Sequence, residues 1–103
     1  MSFTVIITRD LEDRFRGFLA SAMQEAAPGV YLNPKLSPGV RERVWSVMED
    51  WFAALGRGGR SGGSIIMAWG DGAEPGGLGL RVLGLPPRSL ADVDGLLMVC
   101  RPP

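Results

Sequence analysis

Arginine is the residue type in this sequence that is abundant enough to suggest a chemical role. The positive charge of the 103-residue chain comes from ten arginines and one lysine, Lys35, while the formal net charge is zero. A guanidinium is a planar fork of donors that matches the oxygens of a phosphate or carboxylate, whereas an ammonium is a point charge. The composition therefore permits phosphate binding. A GC-rich genome, which favours Arg, Gly, Ala and Pro codons, explains the same composition without any ligand.

Two pairs of arginines are spaced so that each pair flanks the apolar stripe of a predicted helix. In the segment "TRDLEDRFRGFLA" (8–20), Arg14 and Arg16 flank a predicted apolar helix stripe on opposite sides, because successive helical residues are 100° apart. Arg41 and Arg43 flank the stripe of a second predicted helix near its N-terminus. Each arginine either binds an anion such as phosphate, or lies over apolar neighbours and pairs with a nearby acid. Spacing alone leaves both interpretations open.

Two other residue types exclude classes of function. The sequence contains no histidine, which excludes Ser/His/Asp and Cys/His catalysis and histidine-based zinc sites. Any catalysis must then use carboxylates and a hard cation such as Mg²⁺ or Mn²⁺. The single cysteine, Cys100, cannot form an internal disulfide, and neither a membrane span nor a secretory signal is recognisable. We therefore expect a cytoplasmic protein.

Hydrophobic periodicity predicts the elements that position the first arginines. Residues 3–8 read as a buried strand, and Asp10 is expected to cap a helix that ends at Pro28 and Gly29. Further along, "VYL" and "NPKLS" are expected to form two short strands. These are followed by a helix capped by Ser37 and stopped at Gly56, and by the buried strand "SIIMAW" (64–69). This order predicts an α+β, ferredoxin-like (βαββαβ) sandwich with both helices on one face of an antiparallel sheet.

The chain continues beyond this fold. Residues 78–84 and 95–100 read as further strands, with a loop at 85–94 between them. A sheet has only two edges, so these strands either extend it or pair with another chain. We expect a second copy or a partner to hold them, in preference to a monomer with a six-stranded sheet. The chain is thus predicted to be one domain, 1–103, in which 78–103 is a strand extension for dimer formation or partner docking.

Several segments together resemble a known family, the CRISPR-associated adaptation protein Cas-two in its type I-E form. The resembling segments are "RFRGFLA" (14–20), "GVYLN" (29–33), "VRERVW" (40–45), "IIMAWG" (65–70) and "ADVDGLLMV" (91–99). The resemblance implies a homodimer of ferredoxin-like protomers. It also implies that the C-terminal strands complete the sheets of the dimer and dock the integrase subunit Cas-one.

The resemblance also implies a function in antiviral defence. In this family the dimer is the central scaffold of a complex that captures duplex DNA and inserts it as a new spacer in a CRISPR array. Arg14 and Arg16 match the arginine motif of the family, Arg41 a basic position in the second helix, and Arg88 one before the last strand. These four residues are the expected phosphate contacts. No family counterpart is apparent for three other arginines, Arg43, Arg57 and Arg60.

A different activity is implied by other members of the wider family, which are described as metal-dependent endonucleases of RNA or DNA. In those proteins an acid just after the first strand, one from each protomer, holds a divalent cation such as Mg²⁺. Arg9 occupies that position here and Asp10 follows it, so Asp10 is the candidate metal ligand and catalytic residue. The role of helix cap is the alternative for Asp10. A third hypothesis, independent of the resemblance, is a ferredoxin-like dimer that binds a small ligand or regulates another protein.

Overall fold

The computed structural model describes residues 2–57, 63–84 and 89–100. Within them the chain forms two helices and seven strands, and a 3-10 turn at Pro75–Gly77 precedes the fifth strand. The elements are β1 (Ser2–Arg9), α1 (Asp13–Ala22), β2 (Gln24–Ala27), β3 (Val30–Leu36), α2 (Pro38–Arg57), β4 (Ser64–Gly70), β5 (Leu78–Leu83), β6 (Ser89–Val93) and β7 (Leu96–Cys100).

The main sheet is antiparallel and has five strands in the order β2-β3-β1-β4-β5. β1 is central, with Ile6 opposite Tyr31 of β3 and Met67 of β4. The predicted ferredoxin-like fold is confirmed, and β5 extends its sheet within the same chain by pairing with β4. β6 and β7 form a separate two-stranded sheet.

One face of the main sheet packs against both helices to form the core. Ile6 and Met67 are fully buried there, as are Leu19 of α1 and Met48 of α2. These residues belong to one apolar cluster to which both helices and three strands contribute. The stripe predicted for the first helix faces this core, which leaves residues on its flanks free to point outwards.

The opposite face of the main sheet carries a second apolar surface. Because side chains alternate along a strand, the neighbours of Ile6 in β1 point away from the helices. Phe3 is 52% exposed and Ile7 is 43% exposed. Register places apolar residues beside them on β3 and β4. We refer to this surface as the outer face; its members are Phe3, Val5, Ile7, Val30, Leu32, Ile66 and Ala68.

The start of α2 is as predicted. The backbone N–H of Val40 donates a hydrogen bond to the Ser37 hydroxyl, with the two atoms 3.3 Å apart, and Pro38 is the first helical residue. Proline fits this position because a first-turn N–H has no partner within the helix. α2 continues to Arg57, one residue past the stop expected at Gly56.

The start of α1 corrects a prediction. Asp10 does not cap the helix: α1 begins at Asp13, and Glu12 occupies the N-cap position without a side-chain hydrogen bond to the backbone. Asp10 instead has a positive φ of 55°. Aspartate tolerates this left-handed conformation better than most residues do. The turn between β1 and α1 is therefore longer than expected.

The end of α1 corrects a second prediction. The helix stops at Ala22 and not at Pro28, because Met23 is extended (φ −139°, ψ 165°). The Asn33 amide donates a hydrogen bond to the Ala22 carbonyl over 3.0 Å, which satisfies one of the free acceptors at the helix end. β2 follows at once, so Pro28 and Gly29 form the turn of a hairpin with β3. The segments "VYL" and "NPKLS" are accordingly one strand.

The C-terminal segment contains one more strand than predicted. Part of the expected loop at 85–94 is β6, which pairs with β7. Asp94 and Gly95 join the two strands with positive φ values of 53° and 82°. Positive φ at both central residues is the requirement of the tight type I′ hairpin turn, and Asp-Gly satisfies it. No helix in the described residues is long and apolar enough to span a membrane.

Candidate functional site

α1 presents its two arginines on opposite flanks, as its periodicity predicts. Arg14 lies against α2, where its guanidinium carbon is 4.9 Å from the centre of the Trp51 ring. Arg16 points the other way and reaches Glu25 on β2. Both side chains are accessible, with 47% of Arg14 and 67% of Arg16 exposed. The helix thus offers two guanidinium groups to solvent on either side of its buried stripe.

The guanidinium of Arg14 is only weakly engaged with acids. Its Nε is 3.9 Å from a carboxylate oxygen of Glu12, which is too long for a hydrogen bond. Its main contacts are the faces of Trp51 and Phe15, the latter at 5.7 Å. A guanidinium above a ring keeps its N–H donors near its own plane, so stacking does not consume them. Among the described residues, Arg14 thus has no strongly bound acidic partner that an incoming anion would have to displace.

Arg16 is held more firmly. Its Nε and Nη2 both donate to the same oxygen of Glu25, over 3.3 Å and 3.1 Å. This hydrogen bond and the charge of Glu25 raise the pKa of the Arg16 guanidinium above its usual value. Burial raises the pKa of the Tyr31 hydroxyl, and the carboxylate of Glu25 raises it further. A phosphate that approaches Arg16 must share it with Glu25.

Arg41 has a different environment from the arginines of α1. Its side chain is 10% exposed, and its guanidinium carbon lies 4.5 Å from the centre of the Trp69 ring. Its Nε donates to Glu42 over 3.4 Å. In the single chain Arg41 therefore matches the alternative interpretation, in which a flanking arginine lies over apolar neighbours and pairs with an acid.

Arg81 was not predicted from the sequence as a site residue, yet it contacts Glu42 and Trp69, as Arg41 does. Its Nη2 is 2.8 Å from Glu42, and its guanidinium carbon is 5.4 Å from the centre of the Trp69 ring. Register explains the arrangement, because Gly79 lies opposite Trp69 and leaves room for the ring beside β5. The sequence does indicate the direction of Arg81, because it alternates with Gly79 and Leu83 on the helix-facing side of the predicted strand.

The structure describes only some of the other candidate arginines. Arg43 is exposed on α2. Arg57 is the last residue of α2, and its side chain is not among those described. Arg60 and Arg88 lie outside the described residues, so the predicted phosphate contact of Arg88 stays a prediction.

Asp10 lies at the rim of an open cleft between the β1–α1 turn and the β2–β3 turn. Glu12, Asp13 and Thr8 also line this cleft, as does Arg16. In the part of the chain that the structure describes, no group of three or more acidic, cysteine or histidine residues is arranged to hold a metal ion. A cation at Asp10 would therefore need ligands from beyond the described residues of this chain, such as those of a second protomer.

A comparison with known protein families finds a match that covers most of the described chain. A family model described as "CRISPR-associated protein (Cas_Cas2CT1978)" matches residues 3–98. The match spans β1 through most of β7. It therefore covers the core fold and the C-terminal hairpin alike.

Proposed function

The chain belongs to the CRISPR-associated, Cas-two-like family Cas_Cas2CT1978, and on that premise we propose that it is a non-catalytic, DNA-binding scaffold for spacer acquisition. In this proposal the protein corresponds to the type I-E form of the family. Two copies form the scaffold, which binds duplex DNA through arginines and carries the integrase subunit Cas-one. The DNA is held for integration and is not cut by this chain.

The observation that carries the proposal is the exposure of both arginines on α1. Exposed guanidinium groups on a rigid helix can follow the phosphates of a duplex, which gives a grip independent of base sequence. Arg14 is the stronger contributor, since its contact with Glu12 is long. Arg16 contributes after it exchanges Glu25 for a phosphate. We place Arg41 second to both, since its side chain is buried over Trp69.

The outer face supports the homodimer in this proposal. A monomeric protein rarely leaves a wide apolar sheet surface in water, and such a surface usually marks an interface. Phe3 and Ile7 are the most exposed members of the outer face. A second copy that covers this face would leave the helices, and hence Arg14 and Arg16, on the outside of the dimer. Each protomer would then present its own pair of arginines to DNA.

The hairpin of β6 and β7 supports a separate contact with Cas-one. Four consecutive apolar residues of β7 have at least 39% of their surface exposed. They are Leu96, Leu97, Met98 and Val99. In a two-stranded ribbon such residues have no core of their own to enter, so they favour a partner protein.

A magnesium-dependent endonuclease is the second candidate function. The acids of the Asp10 cleft favour it, because carboxylate oxygens are the ligands that Mg²⁺ prefers. Asp10 from both protomers would have to meet the cation, while Arg16 also lines this cleft and would compete for its carboxylates. The scaffold requires no cation at all.

Arg14→Ala tests the scaffold function. We expect the variant to bind mixed-sequence duplex DNA more weakly, by the same factor for all sequences, and to lower the salt slope of binding by about one unit. The reason is that one phosphate contact is lost and no base contact is lost. Fluorescence anisotropy over a salt series measures both quantities. Lys35→Ala, which removes an exposed cation from β3, is the matched control for net charge.

Two outcomes would contradict the scaffold. One is a loss that depends on base sequence, and the other is a loss no larger than that of Lys35→Ala. An absence of nucleic-acid affinity, even with Cas-one present, would leave a ferredoxin-like dimer that binds a small ligand or regulates a protein.

Asp10→Ala separates the two candidate functions. For the scaffold we expect duplex binding within about twofold of the unmodified chain, since Asp10 is not a phosphate ligand. A nuclease loses Mg²⁺-dependent cleavage in this variant while it keeps its binding. Cleavage of labelled RNA and DNA with Mg²⁺ or with EDTA gives the readout. Cleavage by the unmodified chain that disappears in Asp10→Ala favours the nuclease.

A further inference from the structure

The aromatic group between α1 and α2 has a role that its apolar character alone does not explain. Trp51 projects from α2 and meets two phenylalanines of α1. Its ring centre is 5.4 Å from that of Phe15 at an interplanar angle of 86°, and 5.3 Å from that of Phe18 at 61°. Both are edge-to-face arrangements, which aromatic quadrupoles favour. The plane of Trp51 is therefore fixed by both helices.

Arg14 lies over this fixed ring. Its guanidinium carbon is 4.9 Å from the ring centre, within the range in which a cation is attracted to the face of an indole. Among the described residues, the one acid within 4 Å of its side-chain nitrogens is Glu12, at 3.9 Å. The ring, and not an ion pair, therefore determines the direction in which the guanidinium points.

We propose that Trp51 is a positioning residue for Arg14: it holds the guanidinium above α1 with its donors directed outwards, ready for a phosphate. This inference rests on the proposed function, because it assumes that Arg14 contacts DNA. An unrestrained arginine loses rotamer freedom when it binds, and a side chain that is already ordered loses less. Arg16 is ordered by Glu25, a carboxylate that competes with the phosphate for the guanidinium. Arg14 is ordered by a ring that does not compete.

A double-mutant cycle tests this role. The full-length chain, Trp51→Leu, Arg14→Ala and the double variant are titrated with the same mixed-sequence DNA duplex. We expect Trp51→Leu to weaken binding about two- to tenfold, the range that follows from losing a cation–π contact and the ordering of one side chain. In the Arg14→Ala background we expect no further loss. Such non-additivity means that Trp51 acts through Arg14.

Two further measurements keep a structural effect apart from a positioning effect. Trp51→Phe keeps an aromatic face and is expected to recover most of the lost affinity, whereas Trp51→Leu keeps apolar packing alone. Thermal unfolding shows which variants are folded at the binding temperature. A variant that is partly unfolded would lose affinity in the Arg14→Ala background as well, which the cycle detects as additivity.

The failures of the two proposals are distinguishable. If the unmodified chain binds the duplex but Trp51→Leu has the same effect with and without Arg14, the positioning role is overturned and the scaffold stands. The positioning role is also overturned if Trp51→Leu leaves affinity unchanged. If the unmodified chain does not bind DNA, the scaffold fails, and the positioning role fails with it.

Discussion

At the scale of single residues, the two arginines of α1 differ in what holds them before any ligand arrives. Among the described residues, Arg14 lies over Trp51 with Glu12 at 3.9 Å, whereas Arg16 gives two hydrogen bonds to Glu25. A phosphate therefore gains the full charge of Arg14 but displaces a carboxylate at Arg16. In the proposed DNA complex, Arg16 would therefore contribute less than its greater exposure suggests, and Glu25 would determine how much less.

Glu25→Gln should strengthen DNA binding. The substitution removes the competing charge and keeps an oxygen that can accept from Arg16 and Tyr31. Exposed ion pairs are individually weak, so we expect affinity to rise by no more than about fivefold. Anisotropy titrations at low and moderate salt measure the change, and the gain should shrink as salt screens the charges.

The control for this prediction is Glu74→Gln. Glu74 is exposed and lies in the turn after β4, at the end of the sheet where β1 begins. Its substitution therefore removes the same charge at a site far from Arg16. An equal gain in both variants would show that only net charge matters. Weaker binding in Glu25→Gln would show that Arg16 does not face the DNA.

Local geometry predicts where these arginines lie, but not what they contact. A step of 100° per residue is enough to place Arg14 and Arg16 on opposite flanks. The burial of Arg41 did not follow from the sequence, since Trp69 comes from a strand far along the chain. The pairing of Arg16 with Glu25 was also missed, because it requires that Glu25 belong to β2 and not to α1.

At the scale of elements, local signals predicted the start and nearly the end of α2, whereas both ends of α1 differ from the prediction. Ser37 and Pro38 are a helix start that needs no tertiary context, and α2 begins there. The segment Gln24–Ala27 has a composition that favours helix, and it became a strand because it pairs with β3. Apolar Ala22 and Ala26 continue the helical period, which is why the sequence predicted too long a helix.

Gly79→Ala should destabilise the fold. A Cβ at this position of β5 would lie 2.2 Å from the Trp69 ring, which is closer than real contacts allow. The ring cannot move freely, since Arg41 and Arg81 lie against it. We expect a loss of about 1–3 kcal/mol in the free energy of unfolding. For a domain of this size each 1 kcal/mol lowers Tm by about 4–8 °C, so thermal denaturation resolves the effect.

The same substitution in α1 is the control. Nothing lies within 4 Å of a Cβ at Gly17, which is exposed within the helix. Alanine costs less backbone entropy there than glycine, so Gly17→Ala should raise the free energy of unfolding by up to about 1 kcal/mol. An unchanged Tm in Gly79→Ala would mean that β5 and Trp69 separate easily.

At the scale of the whole molecule, the main sheet has two unequal faces. The inner face is covered by α1 and α2, whereas the outer face is apolar and exposes Phe3 and Ile7 in the single chain. The arginines lie on the helical side. This arrangement suits a molecule that dimerises through one face and binds DNA with the other, as proposed.

Ile7→Glu should prevent the proposed dimer. Ile7 is 43% exposed and lies between Val30 and Ile66 on the outer face. A dimer through this face would bury the new carboxylate without a partner, at a cost of more than about 1.4 kcal/mol, which corresponds to at least tenfold weaker self-association. Sedimentation velocity over a concentration series measures this.

Val40→Glu is the matched control for Ile7→Glu. Val40 is 44% exposed and lies at the start of α2, away from the outer face. We expect its self-association to equal that of the unmodified chain. If both variants remain dimeric, the outer face is not the interface.

The hairpin of β6 and β7 has a consequence for handling the protein. A ribbon whose second strand is apolar on both sides and has one edge unpaired is a template for uncontrolled strand addition. The free chain should therefore be prone to aggregate at high concentration. If the proposed partner Cas-one covers this ribbon, production of both proteins together should keep the chain in solution.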